Sequence, residues 1–124
     1  MINKLSKKIH EINVKNGFYE DEKNIGEMIA LIHSEASEAL EADRNNKYSN
    51  ALNDTWNTLN GSPSDEDFKY YFKELCKDTF EDELADIMIR VMDLAAFKNI
   101  DLEQHIKAKM RYNSLREYKH GKKY

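Results

Sequence analysis

NIGEMIALIHSEASEALEADR, residues 24–44, decides the fold. Met28, Leu31, Ile32, Ala36, Ala39 and Leu40 recur at the three- and four-residue spacing of an α-helix with one apolar side. Asn24, with Glu27 three residues on, is a capping signal that starts this helix near Asn24 and ends it near Arg44. Positions three apart on a helix differ by about 60° in direction, so Glu35, Glu38 and Glu41 form one stripe. Extended backwards, that stripe meets Leu31 and Met28, so carboxylates stand where the inward row calls for apolar residues.

Outward toward the C-terminus, residues 45–64 are rich in Asn, Ser and Thr and end in Gly61-Ser62-Pro63-Ser64, which predicts a long connection with about one helical turn around Leu52 and Trp56. Ser64 followed by Asp65, Glu66 and Asp67 is a helix start, because a capping hydroxyl and first-turn carboxylates meet free backbone N–H groups. Phe68, Phe72, Leu75, Phe80, Leu84 and Ile87 carry the apolar spacing on toward Phe97, predicting a helix of about thirty residues, open to interruption near Lys77-Asp78. A shorter helix starts at Asp101, with Gln104 three residues later. Toward the N-terminus, Leu5, Ile9 and Ile12 predict a helix over residues 2–14 that ends in a turn at Asn16-Gly17.

The whole is expected to be one all-α domain, residues 1–124, an antiparallel helical bundle. Two long helices and a few short ones in 124 residues leave apolar surface uncovered, so completion by oligomerisation is expected too. No stretch approaches the length of a membrane span, and no signal-peptide pattern opens the sequence. Cys76 lacks an intrachain partner and falls in an apolar segment, the pattern of a packed thiol in a cytoplasmic protein.

The acidic stripe is repeated on the next long helix, where Glu83 and Asp86 lie beside Asp82, and Asp93 follows two turns later. Crowded, half-buried carboxylates repel one another unless a positive group sits between them. Glu35 and Glu38 facing Glu83 and Asp86 offer four hard oxygen ligands, the chemistry of Mg²⁺ or Mn²⁺. For Glu41, Asp82 and Asp93 a solvated helix face explains the spacing equally well. A di-iron bundle needs Glu-x-x-His on two helices, and the only such spacing, Glu117 to His120, lies in the terminal tail. Neither a phosphate-binding glycine loop nor a serine–histidine–acid arrangement is recognisable.

The net charge of -4 argues against nucleic acid or membrane as a partner, but it is unevenly spread. Residues 107–124 carry seven Lys/Arg against one Glu, for a net +6 on an otherwise acidic chain. Within this end, Lys109, Asn113 and Arg116 share one side of a helix, where Lys and Arg suit phosphate oxygens and Asn a sugar or base. A solubilising helix end is the plainer explanation for Lys119, His120, Lys122 and Lys123.

The segments LIHSEASEALEA at 31–42, EDELADIMIRV at 81–91 and KMRYNSLREYKHGKKY at 109–124 together resemble the MazG-like family of all-α nucleoside triphosphate pyrophosphohydrolases, relatives of the dimeric dUTPases. The family's E-x-x-E falls on Glu35 and Glu38, its E-x-x-D on Glu83 and Asp86, and its K-x-x-x-N-x-x-R on Lys109, Asn113 and Arg116. The resemblance implies a MazG-like bundle forming homodimers or dimers of dimers. It further implies Mg²⁺-dependent cleavage of a nucleoside triphosphate to monophosphate and pyrophosphate, with all four acidic residues as metal ligands. Glu35 or Glu38 is then the expected catalytic base, and Lys109, Asn113 and Arg116 are the substrate-binding residues. The long polar segment before Ser64 departs from the short connection of many small members, so base-selecting residues are sought there, with Trp56, Phe68 and Tyr70 as candidates. The competing class is a non-catalytic helical interaction module that keeps its acidic pairs for solubility or subunit pairing.

Overall fold

The structure, a computed structural model, describes residues 1–123; Tyr124 and the side chains of Lys119 and His120, parts of the basic tail read above, lie outside the described residues. Among the described residues the chain forms α1 (Ile2–Lys15), α2 (Ile25–Arg44), α3 (Asn53–Asn60), α4 (Asp65–Leu75), α5 (Phe80–Phe97), α6 (Leu102–Ser114) and a 3-10 turn (Tyr118–Gly121), with no strand. The all-α expectation therefore holds. No helix is long and apolar enough to cross a membrane.

The helix starts follow the capping chemistry in the sequence. The side chains of Asn24, Ser64 and Asp101 accept hydrogen bonds from the backbone N–H groups of Glu27, Asp67 and Gln104. The ends of α1, α2 and α5 share a different device. Past each, one residue adopts a left-handed backbone, Gly17 (φ 88), Asn46 (φ 55) and Asn99 (φ 55), and two paired backbone hydrogen bonds close the turn. In α2 these run from Asn46 N–H to the Asp43 carbonyl and from Lys47 N–H to the Ala42 carbonyl.

The thirty-residue helix expected over 65–97 is two helices. Asp78 sits at φ 63, a left-handed conformation that no continuous helix admits. Thr79 then begins α5: its hydroxyl accepts from Asp82 N–H, and the Asp82 carboxylate accepts from Asp78 N–H. The helical turn expected around Leu52 and Trp56 is the eight-residue α3, which packs on α4.

The chain forms two compact units. The first comprises residues 1–22 and those from Val91 on. Here α1 packs on α6, and the Glu103 carboxylate accepts hydrogen bonds from the Met1 amine at 2.6 Å and Ile2 N–H at 2.7 Å. Buried Asp93 accepts from the Tyr19 hydroxyl at 2.6 Å, and its other oxygen lies 2.8 Å from His10 Nδ1. Phe97 packs against both rings. Asp93 is thus an interior group of this unit, which settles in favour of burial a residue whose spacing alone left both readings open.

The second unit, residues 23–90, holds α2, α3, α4 and the first part of α5. Its contacts run in opposite senses along α2 and α5, Glu35 meeting Arg90, Glu38 meeting Glu83, and the Lys47 carbonyl accepting from Phe80 N–H. The two helices are therefore antiparallel. Small residues, Ala39 and Ala42, are buried on α2, together with Leu59 of α3 and Cys76. Leu31, Leu40 and Leu84, expected on packed faces, are instead exposed. The reason is geometric: Glu35, Ala39, Ala42 and Glu83 occupy the buried positions, which turns the flanking leucines outward.

Substituting Ser64 with Ala is expected to remove the α4 cap at a cost of about 1 kcal/mol. Gly17→Ala should cost about 1–2 kcal/mol, since a Cβ is disfavoured at positive φ, whereas Asn46→Gly should not destabilise. Urea unfolding followed by circular dichroism checks all three.

Candidate functional site

The site grows from the antiparallel pairing of α2 and α5. Glu35 and Glu38 are one helical turn apart on α2, and Glu83 rises from the first turns of α5 to meet both. One carboxylate oxygen from each of the three lies within 4.8 Å of the other two, close enough to share a single cation. Glu35 and Glu83 are 7% and 5% exposed, while Glu38 is open to solvent. A second acidic group, Asp78, Asp82 and Glu83, gathers its oxygens within the same distance. Glu83 belongs to both.

Counter-charge is scarce here. Arg90 Nε donates to Glu35 Oε1 at 2.7 Å, making an ion pair with its acid largely buried. Burial works against the charge on Glu35, but the Arg90 hydrogen bond, with contributions from Glu38 and Glu83, holds its carboxyl below the ordinary range. Glu83 goes the other way. Burial first, then contact with Glu38 and its negative charge, pushes Glu83 up to about 7. Its Oε2 is buried with no hydrogen-bond partner. Glu83 is thus the acid whose charge its surroundings oppose.

Asp86, the fourth acid of the sequence pattern, does not bring an oxygen into either three-carboxylate group. It lies close enough to sense them: burial raises its carboxyl most, and the charges of Asp82, Glu35 and Glu38 add to that, against Arg90. Glu41 is exposed and paired with Arg44 at 2.9 Å, and it stands at the wall of the cavity that opens next to Glu38. A cavity of about 270 Å³ opens beside Glu38 and Glu83, and Asn45, Lys47 and Asp78 share its wall. Hard carboxylate oxygens, one of them orphaned in the interior, suit Mg²⁺ or Mn²⁺ better than a soft-ligand metal.

Lys109, Asn113 and Arg116 belong to the first unit. Lys109 and Asn113 line a shallow cavity of about 440 Å³ with His105, Ile106 and Met110. Arg116 lies beyond the end of α6, yet its guanidinium carbon stands 5.7 Å from the Tyr112 ring centre, and Lys109 Nζ stands 5.1 Å from the same ring. Tyr112 thus collects both cations among the three expected substrate-binding residues.

No protein-family model, curated protein or solved structure matches the chain.

Sequence reasoning passed over Arg90, Lys47, Asp78 and Glu81. Arg90 is readable in principle, standing seven residues after Glu83 on the same helical side. Glu81 gave no signal because its partners are distant in sequence: Ser49 N–H at 3.1 Å, Ser49 Oγ at 2.6 Å and Asn50 N–H at 2.9 Å. These bonds tie the segment after α2 onto α5. They also pull the Glu81 carboxyl down to about 2 from an ordinary 4.5, the Ser49 hydroxyl being the largest cause.

Because that value is depressed on folding, the anchor's contribution is fully present above pH 4.5 and is lost as pH falls through about 2. Amide exchange of Ser49 and Asn50 should therefore accelerate in this acid window. Glu81→Gln should show fast exchange at neutral pH and no such transition; identical profiles for the two proteins would remove the anchor.

Proposed function

We propose that the chain is a metal-dependent nucleoside triphosphate pyrophosphohydrolase, cleaving a (deoxy)nucleoside triphosphate to monophosphate and pyrophosphate. The observation that carries this reading is the orphaned, buried Glu83 oxygen facing Glu35 and Glu38, an arrangement that stays costly until a cation joins it. The ordered three-part resemblance of the sequence supplies the reaction class. Glu35, Glu38 and Glu83 would hold Mg²⁺ or Mn²⁺, with Asp86 beside them as the fourth acid. A bound cation of this kind supplies positive charge to phosphoryl oxygens and acidity to water.

The chain's own groups divide the remaining work. Arg90 keeps Glu35 ionised and oriented. Glu38, solvent-open at the wall of the 270 Å³ cavity, is the carboxylate with access to an attacking water and the preferred general base. Lys47, on the same wall, carries charge suited to a phosphate oxygen. Lys109, Asn113 and Arg116 are assigned to substrate phosphates and sugar on the strength of the resemblance.

The same reading includes self-association. Ile29, Leu31 and Leu40 on α2 and Leu84, Met88 and Ile89 on α5 are exposed apolar side chains of one unit, and among the described residues no large side chain is fully buried. A second copy of the chain would cover them, as a homodimer or a dimer of dimers. That apolar surface also favours the competing non-catalytic interaction module, which predicts assembly without turnover.

With Mg²⁺ present, chromatography should find monophosphate and pyrophosphate. Glu38→Gln should lower turnover by about 10²–10⁴-fold with circular dichroism unchanged. Diphosphate plus orthophosphate would mean attack at the terminal phosphate, and no turnover across the common nucleotides would leave the interaction module. Sedimentation at micromolar concentration should give at least two subunits, and Leu84→Glu with Met88→Glu should shift the mass toward the monomer.

A further inference from the structure

The acidic site does not stand alone in its unit. A second cavity of about 260 Å³ is walled by Trp56 of α3, Phe72 of α4 and Ala85 of α5, with Cys76, Ser49 and Asp82 also lining it. Asp82 is also one of the three acids whose oxygens, with those of Asp78 and Glu83, lie within 4.8 Å of one another. Asp78 and Glu83 in turn line the open cavity beside Glu38. An apolar, aromatic-walled cavity therefore borders a polar one, with a shared acidic ridge.

The two differ in chemistry as the two ends of a nucleotide do. Trp56 is about half exposed although it lies against apolar neighbours, the position of a ring with a face left to cover. Three polar side chains around the aromatic cavity are already committed to protein partners. Ser49 Oγ donates to Glu81, Thr79 Oγ1 donates to the Cys76 carbonyl at 2.6 Å, and Glu81 accepts three hydrogen bonds. What remains for a ligand is ring surface and shape, which suits a flat heteroaromatic ring gripped by its face.

We infer that the Trp56–Phe72 cavity is the nucleobase subsite, seating the base of the substrate while its phosphates cross Asp82 toward Glu83 and Glu38. The inference rests on the hydrolase reading for that orientation, but the seating of the base is testable without turnover. The segment that departs from the short family connection thereby gains a purpose: α3 carries the stacking ring, and Glu81 pins the residues leading into it. Recognition by the ring face predicts tolerance of several bases, since every base has a face to offer.

Trp56 is the chain's single tryptophan, so its emission reports on this cavity alone. Titrating the Mg²⁺-loaded protein with adenosine, uridine and a non-hydrolysable α,β-imido nucleoside triphosphate should quench that emission saturably, whereas inorganic pyrophosphate should bind without quenching it. Trp56→Ala should weaken analogue binding by calorimetry about tenfold or more. Ala85→Leu, which fills the cavity from an exposed helical position, should weaken the analogue while leaving pyrophosphate affinity unchanged. Saturable analogue binding with unaltered emission and unaltered affinity in Ala85→Leu would overturn the subsite, as would the absence of any saturable quenching by either nucleoside. Quenching by nucleosides in a protein that releases no pyrophosphate would keep the subsite and remove the hydrolase reading.

Discussion

The second unit depends on how α2 and α5 tolerate carboxylates at their contact. Glu35 and Glu83 are both nearly out of water, and only one guanidinium, that of Arg90, is in hydrogen-bonding contact with the pair. Removing one partner of a buried ion pair is far more costly than removing an exposed one, because the remaining charge has no water to return to. The site therefore holds one carboxylate satisfied and a second waiting. A sequence selected for stability alone would place apolar side chains at these positions. Retaining acids there is the kind of local conflict that marks a functional site.

Asp93 shows what a purely satisfied buried carboxylate looks like in the same chain. It meets the Tyr19 hydroxyl through one oxygen and His10 through the other, and both partners are packed against Phe97. Burial, then the bond to Asp93, keeps the Tyr19 hydroxyl protonated far above its ordinary range. Asp93 needs nothing from outside the protein. Glu83, equally interior, has acids for neighbours and one oxygen without a donor. The difference between the two is the partner chemistry, and burial by itself carries little functional information.

Local signals in the sequence located most of the fold. Capping residues placed the starts of α2, α4 and α6 because a cap is read from residues within a single turn. The break between α4 and α5 was visible only as a weakening near Lys77-Asp78, since apolar spacing runs through it and the left-handed backbone at Asp78 leaves no compositional trace. The inward carboxylates were legible as interruptions of an apolar stripe. Which flanking leucines face solvent was not, because Leu40 sits beside Ala39 and periodicity cannot say which of two adjacent apolar residues approaches a partner helix. Partners far apart in sequence, Glu81 with Ser49 and Arg90 with Glu35, became apparent only once the helices were paired.

Cys76, which lines the aromatic cavity, is the chain's single thiol and is buried. Burial, reinforced by the negative charges of Asp82 and Glu81, pushes its thiol above the ordinary value. Thiolate is the species that attacks disulfides and peroxides, and both its supply and its access to oxidants are cut at this position. Burial and the acids crowded on α5 thus share a chemical side effect: they hold the chain's one thiol in its protonated, unreactive form.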